Sequence, residues 1–87
     1  MYLHIGQDTV IRTDTILGIF DLDTATVSRH TRDFLAAAEK RGEVVTVSDE
    51  LPKSFIITQN GTKQTVYLSQ LSSTTLRGRT GLLPSLS

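Results

Sequence analysis

Short runs of apolar and β-branched residues alternate with polar turns along this chain, and one stretch repeats apolar residues at helical spacing. The runs typical of strands are residues 2–5, residues 16–22, "EVVTV" and "SFIIT". Apolar side chains fall on both faces of residues 16–22, which predicts a central strand. Gly18 within it leaves room for an aromatic ring or another backbone to come close.

The stretch "TVSRHTRDFLAAAEKRG" predicts one long helix. Asp23 and Thr24 are suited to cap its start, and Gly42 is suited to end it. One apolar stripe repeats every 3.6 residues or so, and consists of Val27, Thr31, Phe34, Leu35 and Ala38. A second stripe should face solvent, and consists of Arg29, Arg32, Ala36 and Lys40. The helix therefore packs one face on the sheet and leaves its cations outside.

Two further elements follow "SFIIT". Asn60 and Gly61 fit a type I′ turn that joins residues 55–59 to residues 65–69 as an antiparallel hairpin. Serines and threonines of "LSSTTLRGR" can cap a short helix around residues 74–77. The predicted fold class is α+β, a small twisted and mostly antiparallel sheet with one long helix and a short C-terminal helix. It forms a single domain over residues 1–78, with a flexible tail at 79–87.

Composition favours a small self-associating protein. The chain has 87 residues, with nine basic and nine acidic side chains and no cysteine. A domain of this size has a thin core, and without disulfides self-association is the remaining way to hide apolar surface. Neither a signal sequence nor a membrane span is recognisable, so we expect a cytoplasmic protein without membrane contact. No acidic residue follows Glu50, so the last 37 residues carry a formal charge of +4.

The sequence contains no constellation typical of catalysis. His4 and His30 are the only imidazoles and lack the spacing of a zinc site. His4 is expected to be partly buried, and His30 to lie on the solvated helix face. Asp21 and Asp23 could hold a hard cation, although capping and turn roles are favoured. We therefore expect no enzyme activity, no cofactor and no bound metal.

Binding of duplex DNA through phosphates remains open. No basic residue has an aromatic neighbour along the sequence, and no helix-turn-helix pair is present. The remaining possibility is that lysines and arginines on loops and strand ends contact the phosphates, and that identical subunits repeat these contacts. Such repetition raises affinity through effective concentration.

Five segments carry a family resemblance from Met1 to about Arg77. They are "MYLHIG", "GIFDLD", "TRDFL", "LPKSFIIT" and "VYLSQLSSTTL". Together they resemble the extracellular matrix regulator RemB family, which is similar to the RemA regulators. The resemblance implies a DNA-binding activator of biofilm matrix genes. It also implies subunits like LytTR-type DNA-binding domains, assembled into a homo-oligomer such as a ring of dimers.

The resemblance also locates the expected DNA contacts. The RemA regulators carry arginines in an early loop and before the penultimate strand, where this chain has "IRTDT" and "DELPKSF". The predicted phosphate contacts are Lys53, Arg12, Arg77 and Arg79, with Arg29 and Arg32 behind them. Because "SDEL" is acidic where the related branch is basic, an alternative is an oligomeric protein-interaction module without direct DNA contact.

Overall fold

The structure, a computed structural model, describes residues 1–25 and 27–80. Its strands are β1 (Tyr2–Gly6), β2 (Thr9–Arg12), β3 (Ile16–Asp21), β4 (Val44–Thr46), β5 (Ser54–Asn60) and β6 (Lys63–Ser69). Its helices are α1 (Leu22–Ala25), α2 (Arg29–Lys40) and α3 (Ser73–Thr80), with a 3₁₀ turn at Thr13–Thr15. These elements stack in three layers, with α2 on one face of a sheet and the β1–β2 hairpin and α3 on the other.

The middle layer is a four-stranded sheet in the order β3-β5-β6-β4. Both β3 and β6 run antiparallel to β5, whereas β4 runs parallel to β6. The β1–β2 pair forms a separate two-stranded antiparallel sheet. The predicted α+β class and mostly antiparallel pairing are confirmed, with the strands divided between two sheets.

The layer formed by β1, β2 and α3 encloses one part of the core. Its buried members are Leu3, Ile5, Ile11, Ile19, Ile56 and Leu76. The hydroxyl of Ser69 donates to the Ile5 carbonyl at 2.6 Å and accepts from the Leu71 backbone N–H at 3.0 Å. Since Ser69 is fully buried, this short chain of bonds ties β1 to the end of β6 in a place that water does not reach.

The opposite face of the sheet packs against α2. Phe34, Leu35 and Ala38 meet the sheet face formed by Phe55 and Val66. This confirms the predicted apolar stripe of the long helix, because residues four apart lie on one helix face. Val27 is the exception and was wrongly placed in the stripe. It lies before α2 and its side chain is 77% exposed.

The start of the long helix differs from the prediction. A single turn, α1, follows β3 directly, and α2 begins only at Arg29. The capping acceptor is Asp21, whose carboxylate accepts the Asp23 backbone N–H at 2.9 Å. The other end is as predicted, because Gly42 adopts φ +71° just past the last helical turn. Glycine takes that left-handed conformation at low cost and so ends the helix.

The prediction of a central strand for residues 16–22 is wrong, because β3 is an edge of the sheet. Its two apolar faces arise from the layers above and below it. Ile19 faces the β1–β2 hairpin, whereas the Phe20 ring stacks on Phe55 with centroids 5.1 Å apart. The expectation for Gly18 is confirmed, since the Phe20 ring lies over its Cα, where a Cβ would be 2.5 Å from Cε2 of the ring.

Substitution Gly18→Ala is expected to lower the free energy of unfolding by about 1 kcal/mol. The Phe20 ring must swing away from the new methyl group, which costs its stacking on Phe55. Gly78→Ala in α3 is the matched control, because a Cβ there meets nothing within 4 Å. That change should stabilise the protein by about 0.5–1 kcal/mol through helix propensity. Urea titrations give the free energy of unfolding of both variants. Equal changes in the two variants would contradict the conclusion that Gly18 makes room for the Phe20 ring.

The β5–β6 hairpin is confirmed with a two-residue loop, but its turn is shifted by one residue. Asn60 pairs with Lys63, so Gly61 and Thr62 occupy the loop. Gly61 has φ +65° and Thr62 has no positive φ. A type I′ turn needs positive φ at both central residues, so the predicted type is wrong and the pattern is that of type II′.

The short C-terminal helix is confirmed and longer than predicted. Ser72 caps it by accepting the Thr75 backbone N–H at 3.1 Å. The helix continues through Arg79 to Thr80, which is buried. Two residues assigned to the predicted tail thus belong to α3. The rest of that tail, residues 81–87, lies outside the described residues.

Candidate nucleic-acid interface

The cations predicted to contact DNA do not form one patch on a single chain. Lys53 immediately precedes β5, whereas Arg12 ends β2 beside the far end of the β5–β6 hairpin. Seven residues of β5 separate these two ends, a span of about 20 Å at 3.3 Å per residue. Arg77 and Arg79 lie on α3, and Arg29 and Arg32 lie on α2. A single subunit therefore offers scattered cations.

Arg12 shares a polar groove with Lys63, a residue that the sequence analysis did not select. The groove has a volume of about 250 Å³ between β2 and the β5–β6 hairpin, and Thr58, Thr65 and Tyr67 line its floor. Arg12 pairs with Asp14 at 2.6 Å, but both side chains are more than half exposed. An exposed pair of this kind is worth at most about 1 kcal/mol, so phosphate can displace it.

Lys53 lies at an acidic end of the molecule. Its backbone is fixed, since its N–H donates to the Ser69 carbonyl at 2.8 Å and its carbonyl accepts from the Leu22 N–H at 2.9 Å. Asp49 and Glu50 precede it, and Asp21 ends the neighbouring strand opposite Ser54. This surrounding negative charge opposes the approach of phosphate.

The two arginines of α3 bind backbone carbonyls of strands. The Arg77 guanidinium donates to the Ile19 carbonyl, and that of Arg79 donates to the His4 carbonyl at 3.1 Å. Arg77 is half-buried and thereby blocks part of the outer edge of β3, as proteins commonly protect edge strands. Removing Arg77 therefore affects stability as well as any contact with DNA.

The two arginines of α2 make local contacts near the start of the helix. Arg29 and Asp33 lie one turn apart with a nitrogen–oxygen distance of 3.9 Å. Arg32 donates to the Val27 carbonyl at 3.0 Å. Both side chains are exposed, as the polar stripe predicted. They lie on the face of α2 that points away from the sheet, on the opposite side from the β1–β2 hairpin.

The structure places an aromatic residue beside a predicted DNA contact. Tyr2 pairs directly with Arg12 across the β1–β2 hairpin, and His4 pairs with Val10. His4 is exposed, so its predicted partial burial is wrong. Tyr2 was not predicted to lie beside Arg12 because nine residues separate the two along the chain. The one local signal is that "YLHI" places Tyr2 and His4 on one strand face and Leu3 and Ile5 on the other.

Charge is segregated along the sheet rather than between the halves of the sequence. One end carries Asp8, Asp21, Asp23, Asp49 and Glu50, and Lys53 is placed among them. The opposite end carries Arg12, Lys40, Arg41 and Lys63, with Asp14, Glu39 and Glu43. There the hydrogen bond from Arg41 lowers the pKa of Glu43 and keeps that carboxyl ionised. Folding thus concentrates basic groups around the tip of the β5–β6 hairpin.

A second surface feature is an apolar groove of about 230 Å³ between α2 and the sheet. It is lined by Phe20, Phe34, Phe55, Ile57, Thr31 and His30. The groove exists because α2 covers β5 and β6 but leaves the half-exposed Phe20 ring of β3 partly uncovered. Its walls are suited to an apolar partner.

Neither a metal centre nor a membrane span is apparent where the chain is described. Residues 1–25 and 27–80 contain no group of three histidine, cysteine, aspartate or glutamate side chains able to hold a metal ion. Asp21 serves instead as a capping acceptor. No helix over the same residues has the length and apolar character needed to cross a membrane.

Comparison with known proteins identifies the relationship. Residues 2–80 match the model of the RemA-like family, described as extracellular matrix regulatory protein A-like. The chain belongs to the RemA-like family. It is also similar to extracellular matrix regulatory protein B of Bacillus subtilis (strain 168), with 39% identity over 79 residues, which cover 91% of this chain and 89% of that protein. The family resemblance seen in the sequence is therefore confirmed.

Proposed function

We propose that this protein regulates extracellular matrix genes as a homo-oligomer that binds duplex DNA in the cytoplasm. The observation that carries the proposal is the family match over residues 2–80. The 39% identity to a protein named extracellular matrix regulatory protein B supports the same role. On this proposal, identical subunits close into a ring and present their cations along one duplex.

The distribution of charge explains why assembly is needed. Each subunit has four cations at its basic end, and two of them, Arg12 and Arg41, already pair with Asp14 and Glu43. Each phosphate contact contributes modestly to affinity and adds to its dependence on salt. Several subunits along one duplex multiply these contacts through effective concentration. A single subunit should bind weakly, and the assembly should bind tightly.

Two measurements on the purified full chain test this function. Light scattering gives the mass of the particle, and fluorescence anisotropy with a labelled 30-base-pair duplex gives affinity at 50 and 200 mM salt. We expect a particle of several subunits whose affinity falls about 10³-fold or more over this range, as for six or more phosphate contacts. A monomer, or an oligomer that fails to bind DNA at 50 mM salt, contradicts the proposal.

One alternative has structural support of its own. The apolar groove beside Phe20 and Phe34 is suited to a protein partner, and acidic residues surround Lys53. An oligomeric module that acts through a partner protein would use that groove without touching DNA. A defined oligomer with no DNA binding at low salt favours this alternative.

A further inference from the structure

We propose that the outer face of the β1–β2 hairpin is the surface that enters the DNA groove. This face, called the ribbon face below, consists of Tyr2, His4, Val10 and Arg12. The proposal rests on the function proposed above and adds the element and the side chains that meet the duplex. It brings in Tyr2 and His4, which are not among the predicted cations.

Alternation along the two strands creates the ribbon face. Leu3, Ile5 and Ile11 point into the core and are buried. Their neighbours point outward in two cross-strand pairs, Tyr2 with Arg12 and His4 with Val10. Tyr2 is 67% exposed and Val10 is 50% exposed. The hairpin forms its own two-stranded sheet, and no described element covers this side of it.

The charge around the ribbon face favours binding of a polyanion over binding of a protein. Arg12 lies on the ribbon face, Lys63 lies across the adjoining groove, and Arg79 reaches the His4 carbonyl at the strand edge. The nearby acidic side chain is Asp14, held only by an exposed ion pair. The face and its margins thus carry a net positive charge in a protein whose formal charge is zero.

The shape of the hairpin also fits a duplex. The major groove of B-DNA is about 12 Å wide and admits a two-stranded β-ribbon. Tyr2 and His4 can then contact base edges while Lys63 and Arg79 contact the flanking phosphates. Asp8 lies in the turn of the hairpin, beside the acidic end of the sheet. The open end with Arg12 should therefore point toward the duplex, and the turn should point away.

Substitutions Tyr2→Ala and Arg12→Ala test the ribbon face by fluorescence anisotropy at several salt concentrations. Tyr2→Ala should weaken DNA binding about tenfold with little change in the salt slope, because tyrosine carries no charge. Arg12→Ala should weaken binding and reduce the slope by about one. Leu51→Ala is the matched control, because Leu51 is 85% exposed at the acidic end. It should bind within about twofold of the unmodified chain.

The outcomes separate this inference from the proposed function. If the unmodified chain binds no DNA, the proposed function fails and the ribbon face fails with it. If the unmodified chain binds but Tyr2→Ala and Arg12→Ala match Leu51→Ala, only the ribbon face is overturned. If Tyr2→Ala lowers the particle mass in light scattering, the face is a contact between subunits and the inference is also overturned.

Discussion

Replacing Leu76 by alanine is expected to lower the free energy of unfolding by about 3–4 kcal/mol. Leu76 is fully buried and anchors α3 among Leu3, Ile5 and Ile56. Replacing a buried leucine by alanine loses the hydrophobic transfer free energy of the removed carbons. It also leaves a cavity that destabilises the folded state. The free energy of unfolding of a domain of this size is roughly 5–10 kcal/mol, so the variant should lose a third or more of its stability.

Urea denaturation at one protein concentration measures this effect, because the stability of a protein that self-associates depends on its concentration. Leu51→Ala serves again as the control, since Leu51 is exposed, and it should change stability by less than about 0.5 kcal/mol. The buried residues of the β1–β2 hairpin share one core with α3 and the sheet, so the hairpin depends on both. A loss below about 1 kcal/mol for Leu76→Ala would show that α3 does not hold this layer.

Charge reversal at Lys63 should weaken DNA binding much more than the same change at Lys53. Both lysines are exposed, and neither side chain has a hydrogen bond or ion pair within residues 1–25 and 27–80. They differ in surroundings, because Lys63 shares a groove with Arg12 whereas Lys53 follows Asp49 and Glu50. We expect Lys63→Glu to lose about tenfold or more in affinity and to reduce the salt slope by about one.

Lys53→Glu is therefore the matched control for Lys63→Glu, and we expect a change of less than about threefold. Lys53 was the first choice from the sequence, and its contact with DNA remains a prediction that this pair of variants tests. A larger loss for Lys53→Glu would move the interface to the opposite end of the sheet. Equal losses would indicate a general charge effect rather than a defined surface.

Local elements of this fold were predictable because each depends on nearby residues. The apolar stripe of α2, the Gly42 terminus and the two-residue hairpin loop follow from periodicity and backbone preference. The order of strands depends on which layers cover them. Apolar residues on both faces of β3 indicated a central position, but β3 is an edge strand between two covering layers. The β2 strand was missed because its four residues are too few for a clear pattern.

The candidate site was harder to predict than the fold. Residue types identified the cations, but only the register of β1 with β2 brings Tyr2 beside Arg12. Only the packing of β2 on the β5–β6 hairpin brings Arg12 beside Lys63. The arginines of α3 looked equally available in the sequence, yet Arg77 is half-buried at the Ile19 carbonyl, whereas Arg79 stays exposed beside the His4 carbonyl. Such contacts join residues far apart in the chain and leave no local signal.

Lysine footprinting is the most direct test of the proposed DNA surface. The chain has three lysines, Lys40 at the end of α2, Lys53 at the acidic end and Lys63 at the hairpin tip. Their acetylation rates, measured by mass spectrometry with and without a 30-base-pair duplex, report the contact without any substitution. We expect DNA to slow the reaction at Lys63 severalfold and to leave Lys53 unchanged. Protection of Lys53 with Lys63 still reactive would contradict a DNA surface at the basic end of the sheet.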